Sequence, residues 1–243
     1  MGAPPRTPRF EGIALATSVL FRAPSVYEKI LKPMVDRVAA AVLLLVSVPL
    51  MLTIATTVLV RLGRPVFFVQ ERIGKDGVPF RMVKFRTMRP DRRRSTRHYD
   101  GTDRRRTHKS PDDPRHTSLG RFLRRSKLDE LPQLLHVLTG RMSLVGPRPE
   151  LESVVRAKYE GWQHARHVVR PGLSGLWQVT AQHEDEEGRM HDATDIDLRY
   201  ITAMGPLVDV EILVATLVGR APSRLSRLAS GDARVREHRQ IRG

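Results

Sequence analysis

Apolar and polar positions repeat along the chain with more than one period, and each period marks a different kind of element. From Val38 to Val60 no charged residue occurs. This run of about 23 residues, at 1.5 Å per residue, exceeds the roughly 20 needed to cross the hydrocarbon core of a bilayer. Pro49 falls near its middle, where it removes one helical hydrogen bond and presses its ring on the carbonyl of Leu45. Ser47 offers a hydroxyl to a freed carbonyl, so a kink is expected there. Basic residues flank both ends, with Lys29, Lys32 and Arg37 before the run and Arg61 and Arg64 after it. The positive-inside rule draws both flanks to the cytoplasmic side and favours a re-entrant helical hairpin; a single span with a tolerated proline is the competing geometry.

Short alternating runs rich in Val and Phe follow at Val66–Gln70 and Val78–Phe85, and the Asp76-Gly77 pair between them predicts a β-hairpin. Lys84 and Arg86 flank Phe85 and so point to one face of the second strand, towards either a phosphate or water. Leu131–Leu138 is apolar at helical spacing, with Gly140 where a left-handed cap is expected, Asp129 at the N-cap and Pro132 in the first turn. A second helix is predicted from Leu151 to about Val168, ended by Arg170-Pro171-Gly172. Leu173–Thr180, LSGLWQVT, reads as a buried loop or strand with Trp177 in the core, and Pro206–Val218 as a core or interfacial helix. The first thirty or so residues read as a loose lead-in whose apolar stretch, Ile13–Phe21, is too short to span a bilayer. Pro4, Pro5, Pro8 and Glu11 argue against a cleavable leader. Beyond Arg220 an arginine-rich tail reads as loose too.

Composition narrows the partners. A formal net charge of +16 points to an anionic partner: nucleic acid, an acidic lipid surface or a phosphorylated substrate. The absence of Cys removes disulfides, thiolate catalysis and Cys-ligated zinc together. Pro90–Pro114 carries Arg92–Arg94 and Arg104–Arg106 with little apolar content and reads as a mobile basic loop, placed by its neighbourhood nearer to lipid headgroups than to nucleic acid. The acidic stretch His183–Glu187 has no spacing of a defined ligand set and reads as a solvated charge run. The chain has no internal repeat, Walker A loop, dinucleotide fingerprint or Ser/His/Asp triad. Aromatics are only 5% of the chain and no nucleic-acid motif occurs, which places a membrane-tethered nucleic-acid binder second.

The chemistry concentrates in SKLDELPQLLHVLTGRMSLVGPRPE, Ser126–Glu150. It holds an adjacent Asp129-Glu130 pair preceded by Arg121, Arg124 and Arg125, and Arg148 bracketed by Pro147 and Pro149. The two prolines fix the backbone and lower the entropy lost in holding a guanidinium against a phosphate. A carboxylate can attack phosphorus and form an acyl phosphate, splitting a phosphoryl transfer into two displacements. The meeting of two anions needs compensating positive charge, from arginines and a Mg²⁺ ion held by carboxylates and substrate phosphates.

Over nearly all of Lys32–Val218 the sequence resembles the bacterial sugar transferases, the monotopic polyprenyl-phosphate phosphoglycosyl transferases. The resemblance lies in PVFFVQERIGKDGVPFRMVKFRTM (Pro65–Met88), DPRHTSLGRFLRRSKLDELPQLLHVLTGRMSLVGPRPE (Asp113–Glu150) and VRPGLSGLWQVT (Val169–Thr180). It implies Asp129 as nucleophile towards a nucleoside diphosphate sugar, usually a UDP-sugar. Polyprenyl phosphate then takes the sugar phosphate from Asp129. It implies Glu130 as the dyad partner and Mg²⁺ ligand beside Asp129, Arg124 and Arg148 on phosphate groups, and Lys84 near the site, with Arg86 in the same KFRTM segment. The setting implied is the bacterial inner membrane with the catalytic domain facing the cytoplasm, in exopolysaccharide, capsule or O-antigen assembly, with membrane lipids as neighbours, no nucleic acid, and a homodimer among the allowed assemblies. Two departures stand out: Val48 separates Ser47 from Pro49 at the membrane break, where many members have Ser and Pro adjacent, and the basic loop replaces a more acidic helical insert.

The fold expected is thus α+β and mainly helical, with an N-terminal re-entrant helical hairpin and a small cytoplasmic catalytic domain containing a short β-hairpin. Its segments are a lead-in (1–31), the membrane helix (32–64), the catalytic domain (65–218, with the basic loop at 90–114) and a basic tail (219–243).

Overall fold

A computed structural model describes residues 9–89, 115, 117–181 and 193–231; the basic loop at 90–114 and the acidic run at 183–187 lie outside the described residues. The expected loose lead-in is instead a helix, α1 (Arg9–Phe21). Its Ala16 and Val19 are buried in the main core, and Gly12 lets it close on the ring of Trp162, which an added Cβ would meet at 2.9 Å. A π-helical turn, Tyr27–Leu31, leads directly into α2 (Lys32–Leu62).

Helix α2 runs 31 residues through Pro49 as one helix, and Ser47 Oγ donates to the Leu44 carbonyl at 3.2 Å, one residue short of the carbonyl that Pro49 crowds. Tyr27–Leu62 is long and apolar enough to cross a membrane by length and composition. A single stripe of α2 faces the rest of the protein. Lys32, Asp36 and Ala40 are buried at one end and Ile54 and Val58 at the other, while Val38, Val42, Leu45, Val46, Leu52 and Val60 are exposed. Both ends are fastened. At the amino end Lys32 Nζ lies 2.5 Å from Asp209, which also accepts from Tyr27 and Tyr200, and Asp36 accepts from Ser143 Oγ at 2.5 Å. At the carboxyl end the Arg86 guanidinium donates to the carbonyls of Leu62 and Gly63, each at 2.5 Å, and of Arg64 at 3.0 Å. Leu62 is among the carbonyls that the end of a helix leaves without internal partners, and Gly63 and Arg64 follow it directly.

Strands β1 (Phe67–Ile73) and β2 (Pro79–Phe85) form the antiparallel hairpin that the alternation predicts, with Phe68 opposite Lys84. Its turn passes through Asp76 and Gly77, both at positive φ. Helix α3 (Ser118–Arg125) starts at Thr117, whose hydroxyl caps Gly120 N at 3.0 Å. The acidic pair does not sit at an N-cap: a 3₁₀ helix, Leu128–Gln133, contains it, and the left-handed Lys127 holds the cap position. Pro132 has no N–H to donate to the carbonyl of Leu128, so the regular α-helical ladder is broken at this turn. The α-helical part, α4 (Leu134–Leu138), is correspondingly short, and Gly140 follows it at φ 76° as expected.

The remaining elements depart further from the sequence pattern. The helix expected over 151–168 is α5 (Glu152–Lys158), then a break at Tyr159-Glu160, then a 3₁₀ helix, Gly161–Val168, opened by a capping box between Glu160 and Gln163. Two three-residue strands, β3 (Ser143–Val145) and β4 (Gly172–Ser174), pair in parallel. LSGLWQVT therefore divides into β4 and α6 (Leu176–Thr180), with Trp177 buried as expected. Helices α7 (Thr194–Ala203) and α8 (Pro206–Val218) follow, and the expected loose tail contains α9 (Ser223–Ser230), anchored by the fully buried Leu225. The main core gathers α1, α4, β3, α6, α7, α8 and α9. A second cluster, Ile54, Val58, Phe85 and Leu123, joins the carboxyl half of α2 to β2 and α3, and Leu131 touches both. The 3₁₀ helix of the acidic pair is thus wedged between the two cores.

Candidate active site

Four pieces of backbone supply the site: the end of β2 (Lys84), α3 (Arg124), the 3₁₀ helix (Asp129 and Glu130) and the loop after β3 (Arg148). Asp129 is only 5% exposed. Burial is the main cause that lifts its carboxyl to about 6, and the neighbouring Glu130 charge adds to it; Lys84, Arg124 and Arg148 pull the other way. Burial also disfavours the Glu130 carboxylate. There the Arg148 guanidinium, 2.7 Å from Oε1, outweighs it with help from Lys84 and Lys127, so Glu130 titrates below its ordinary value. Two adjacent carboxylates are thereby split: the charged form of Glu130 is favoured and neutralised by its arginine, while Asp129 keeps a high-energy anion. At pH 7 a carboxyl of pKa about 6 is still about nine-tenths ionised, so Asp129 is available as a nucleophile of raised basicity.

Lys84 is the counter-charge on the strand side. Burial draws its ammonium below the ordinary lysine value, the Asp129 charge opposes this, and Arg72 and Arg148 add to it. Its Nζ lies 5.4 Å from the centre of the Phe68 ring, directly across the hairpin. Arg124 is steered by Thr87, whose hydroxyl accepts from its Nε at 3.0 Å. Arg148 spends Nη2 on Glu130, and among the described residues no hydrogen bond of its Nε or Nη1 is found. That leaves an edge of the guanidinium for a phosphate.

The structure therefore brings Lys84, Arg124, Asp129, Glu130 and Arg148 together, and it removes Arg86 from that group. Arg86 is 7% exposed and turned to the end of α2, so the shared face with Lys84 expected from alternation ends with the strand at Phe85. Several supporting residues lie outside anything the motif signals. His136 Nε2 accepts from the Val83 amide at 3.2 Å, tying β2 to α4, and burial with Arg141 nearby holds this imidazole below its ordinary pKa and unprotonated. Arg72 reaches the Pro149 carbonyl and Arg166 the Arg148 carbonyl. For Arg72 the period-two pattern carries a signal, since it shares a strand face with Phe68 and Gln70; for His136 and Arg166 the sequence carries none.

Among the described residues no group of three or more His, Asp or Glu could hold a metal ion by itself. The Asp129-Glu130 pair instead fits the way Mg²⁺ is commonly held, by one or two carboxylates with substrate phosphates completing the shell.

A buried carboxylate of raised pKa set among three cations, beside a helix of membrane-spanning length, defines a candidate phosphoryl-group transferase site. The chain belongs to the bacterial sugar transferase family, whose model matches residues 27–221. It is 36% identical over 194 residues to the UDP-glucose:undecaprenyl-phosphate glucose-1-phosphate transferase of Escherichia coli (strain K12), a match covering 78% of this chain and 40% of that protein. To the protein of the same name from Xanthomonas campestris pv. campestris it is 40% identical over 196 residues, covering 79% and 39%. To the exopolysaccharide production protein ExoY of Rhizobium meliloti (strain 1021) it is 36% identical over 197 residues, covering 78% and 84%. The chain thus spans about two fifths of the length of the first two relatives and most of the third. Helices α1 and α9 lie outside the matched residues.

Proposed function

We propose that the protein is a polyprenyl-phosphate sugar-1-phosphate transferase that works through a covalent intermediate on Asp129. An Asp129 oxygen attacks the sugar-linked phosphorus of a nucleoside diphosphate sugar, with a UDP-sugar the expected donor. The P–O bond to the nucleoside monophosphate breaks, and the leaving phosphate carries away the electron pair. In the second step an oxygen of polyprenyl phosphate attacks the same phosphorus and the Asp129 carboxylate departs, leaving a polyprenyl diphosphate sugar. The relatives' names give the acceptor and the glucose-1-phosphate group of two of them, and for this chain both remain part of the proposal.

The observation that carries this reading is the split of the acidic pair. Among the described residues Asp129 is the carboxylate of the pair without a hydrogen-bonded arginine, and this leaves it the better placed of the two to attack phosphorus. Lys84, Arg124 and the open edge of Arg148 offset the charge that accumulates when a carboxylate meets a diphosphate. Asp129 and Glu130 would hold Mg²⁺, which supplies further charge neutralisation on the diphosphate when bound.

The membrane part of the reading is monotopic, on the inner membrane with the site on the cytoplasmic side. Helix α2 is about 46 Å long if straight, yet both of its ends are fastened to one domain, by Lys32–Asp209 and by Arg86. Two ends fastened to one body favour re-entry on one side over a crossing. The test of the transferase is Asp129→Asn with a panel of UDP-sugars. UMP release and a protein-bound sugar phosphate, seen as a mass increase, are expected in the wild type and absent in the variant. Wild-type UMP release by Asp129→Asn would remove the nucleophile.

A further inference from the structure

The loop that presents Arg148 is held by its carbonyls. Pro147 O accepts from Gly172 N at 2.9 Å, Arg148 O from Arg166 Nη2 at 2.7 Å, Pro149 O from Arg72 Nη1 at 3.1 Å and Glu150 O from Ile73 N at 2.9 Å. The approach of the opposing turn is close enough that a Cβ on Gly172 would meet Gly146 N at 2.1 Å. Prolines at 147 and 149 fix two φ angles and Pro149 confines ψ of Arg148 to the extended region, which leaves the direction of the Arg148–Pro149 peptide plane to be set within that range. Rotation of that plane swings the Arg148 Cα–Cβ bond, and its orientation is decided by whatever its carbonyl bonds.

That partner is unusual. Arg166 is 1% exposed, and several kcal/mol are lost in burying a guanidinium unless it is paired. Asp197 on α7 supplies the pair at 2.5 Å, and Nη1 reaches the Tyr159 hydroxyl at 2.5 Å. An apolar side chain of similar volume would fill this space at least as favourably. What it could not do is donate from a fixed planar fork to the Arg148 carbonyl.

We infer that Arg166 is a positioning residue for Arg148, oriented by Asp197 and Tyr159, and that it acts on the transfer reaction only by fixing the peptide plane from which the Arg148 guanidinium reaches Glu130. The kinetic part of this inference rests on the transferase reading; the mechanical part does not. Helix α7, which carries Asp197, is itself gripped on its far side, where Arg199 meets Glu11 of α1 at 2.5 Å and lies against Gly231 after α9.

The test uses the full chain in detergent or nanodiscs, with Arg166→Lys, Asp197→Asn and, as an exposed control, Arg156→Lys. In hydrogen–deuterium exchange, the peptide spanning 144–151 exchanges faster in the first two variants and not in the control. UMP release slows by about 10- to 100-fold in Arg166→Lys. In an Arg148→Gln background the same substitution costs less than about twofold, because two residues acting through one contact are not additive. Tyr159→Phe, which keeps Arg166 charged and paired, moves both readouts the same way by less, and it decides the matter if Arg166→Lys does not fold. An unchanged exchange rate in the loop, or a full additional loss in the Arg148→Gln background, overturns the inference. If the wild type releases no UMP from any donor, the transferase reading fails while the exchange measurement still decides whether Arg166 holds the loop.

Discussion

At the scale of single residues, the site depends on an anion kept where it is least comfortable. The folded state raises the Asp129 pKa from 3.8 to about 6, so folding favours its protonated form. Stability from this group is fully present below about pH 4 and is lost as pH rises through 6, a cost of at most about 3 kcal/mol at neutral pH. Asp129→Asn is therefore expected to melt above the wild type at pH 7.5, with the difference shrinking as pH falls to 4; equal melting curves across that range would contradict it. On the proposed reading the attacking group is the ionised Asp129 carboxylate, so the donor half-reaction, measured as UMP release, should fall as pH drops and that carboxyl becomes protonated. That Asp129, Glu130, Arg124 and Arg148 lie close together was legible because they fall in one short stretch of chain that combines an acidic pair with arginines, and the family resemblance pointed to the same four. His136, Thr87 and Arg166 were not, because each works through a single amide, guanidinium or carbonyl brought to it by distant chain. Arg86 shows the converse error: alternation gave it a face, but the strand ends one residue earlier.

At the scale of elements, what could be read was what has a long or regular period. The uncharged run became α2, the Asp-Gly turn became the β1–β2 hairpin, and the apolar segment at 206–218 became α8. The short pieces escaped. Three-residue strands such as β3 and β4 have no period to detect, and their pairing depends on glycines that let two turns close on each other. Helices α1 and α9 carry proline- and arginine-rich surroundings, and their burial follows from packing on α7, which the local sequence does not state. The new place of Arg86 has its own consequence. Arg86→Met should lower unfolding free energy by about 2–3 kcal/mol, through loss of charged hydrogen bonds at the end of α2. The KM for the nucleotide sugar should be unchanged in that variant; a raised KM would return Arg86 to the site.

At the scale of the whole molecule, two kinds of surface meet. The exposed apolar residues of α2 are continuous in chain with the domain that holds the polar site, and α8 exposes Leu207, Val210, Val214, Leu217 and Val218 as well. Attachment resting on burial of apolar surface resists salt, whereas attachment resting on the net charge of +16 does not. The protein is expected to stay with membranes through a 1 M salt wash and an alkaline carbonate wash and to leave only with detergent. Release by salt alone would shift the weight to the arginine-rich segments.

The carboxyl end of α2 is bound by Arg86, two positions along the chain from Lys84, and the same helix packs through Ile54 and Val58 against Phe85. Altitude is therefore built into the architecture: wherever the apolar rod comes to rest, the lysine facing Asp129 rests at a constant height above it. On the proposed reading, a carboxylate that meets one reactant arriving from water and another held in the lipid film needs such a fixed level more than it needs a deep pocket.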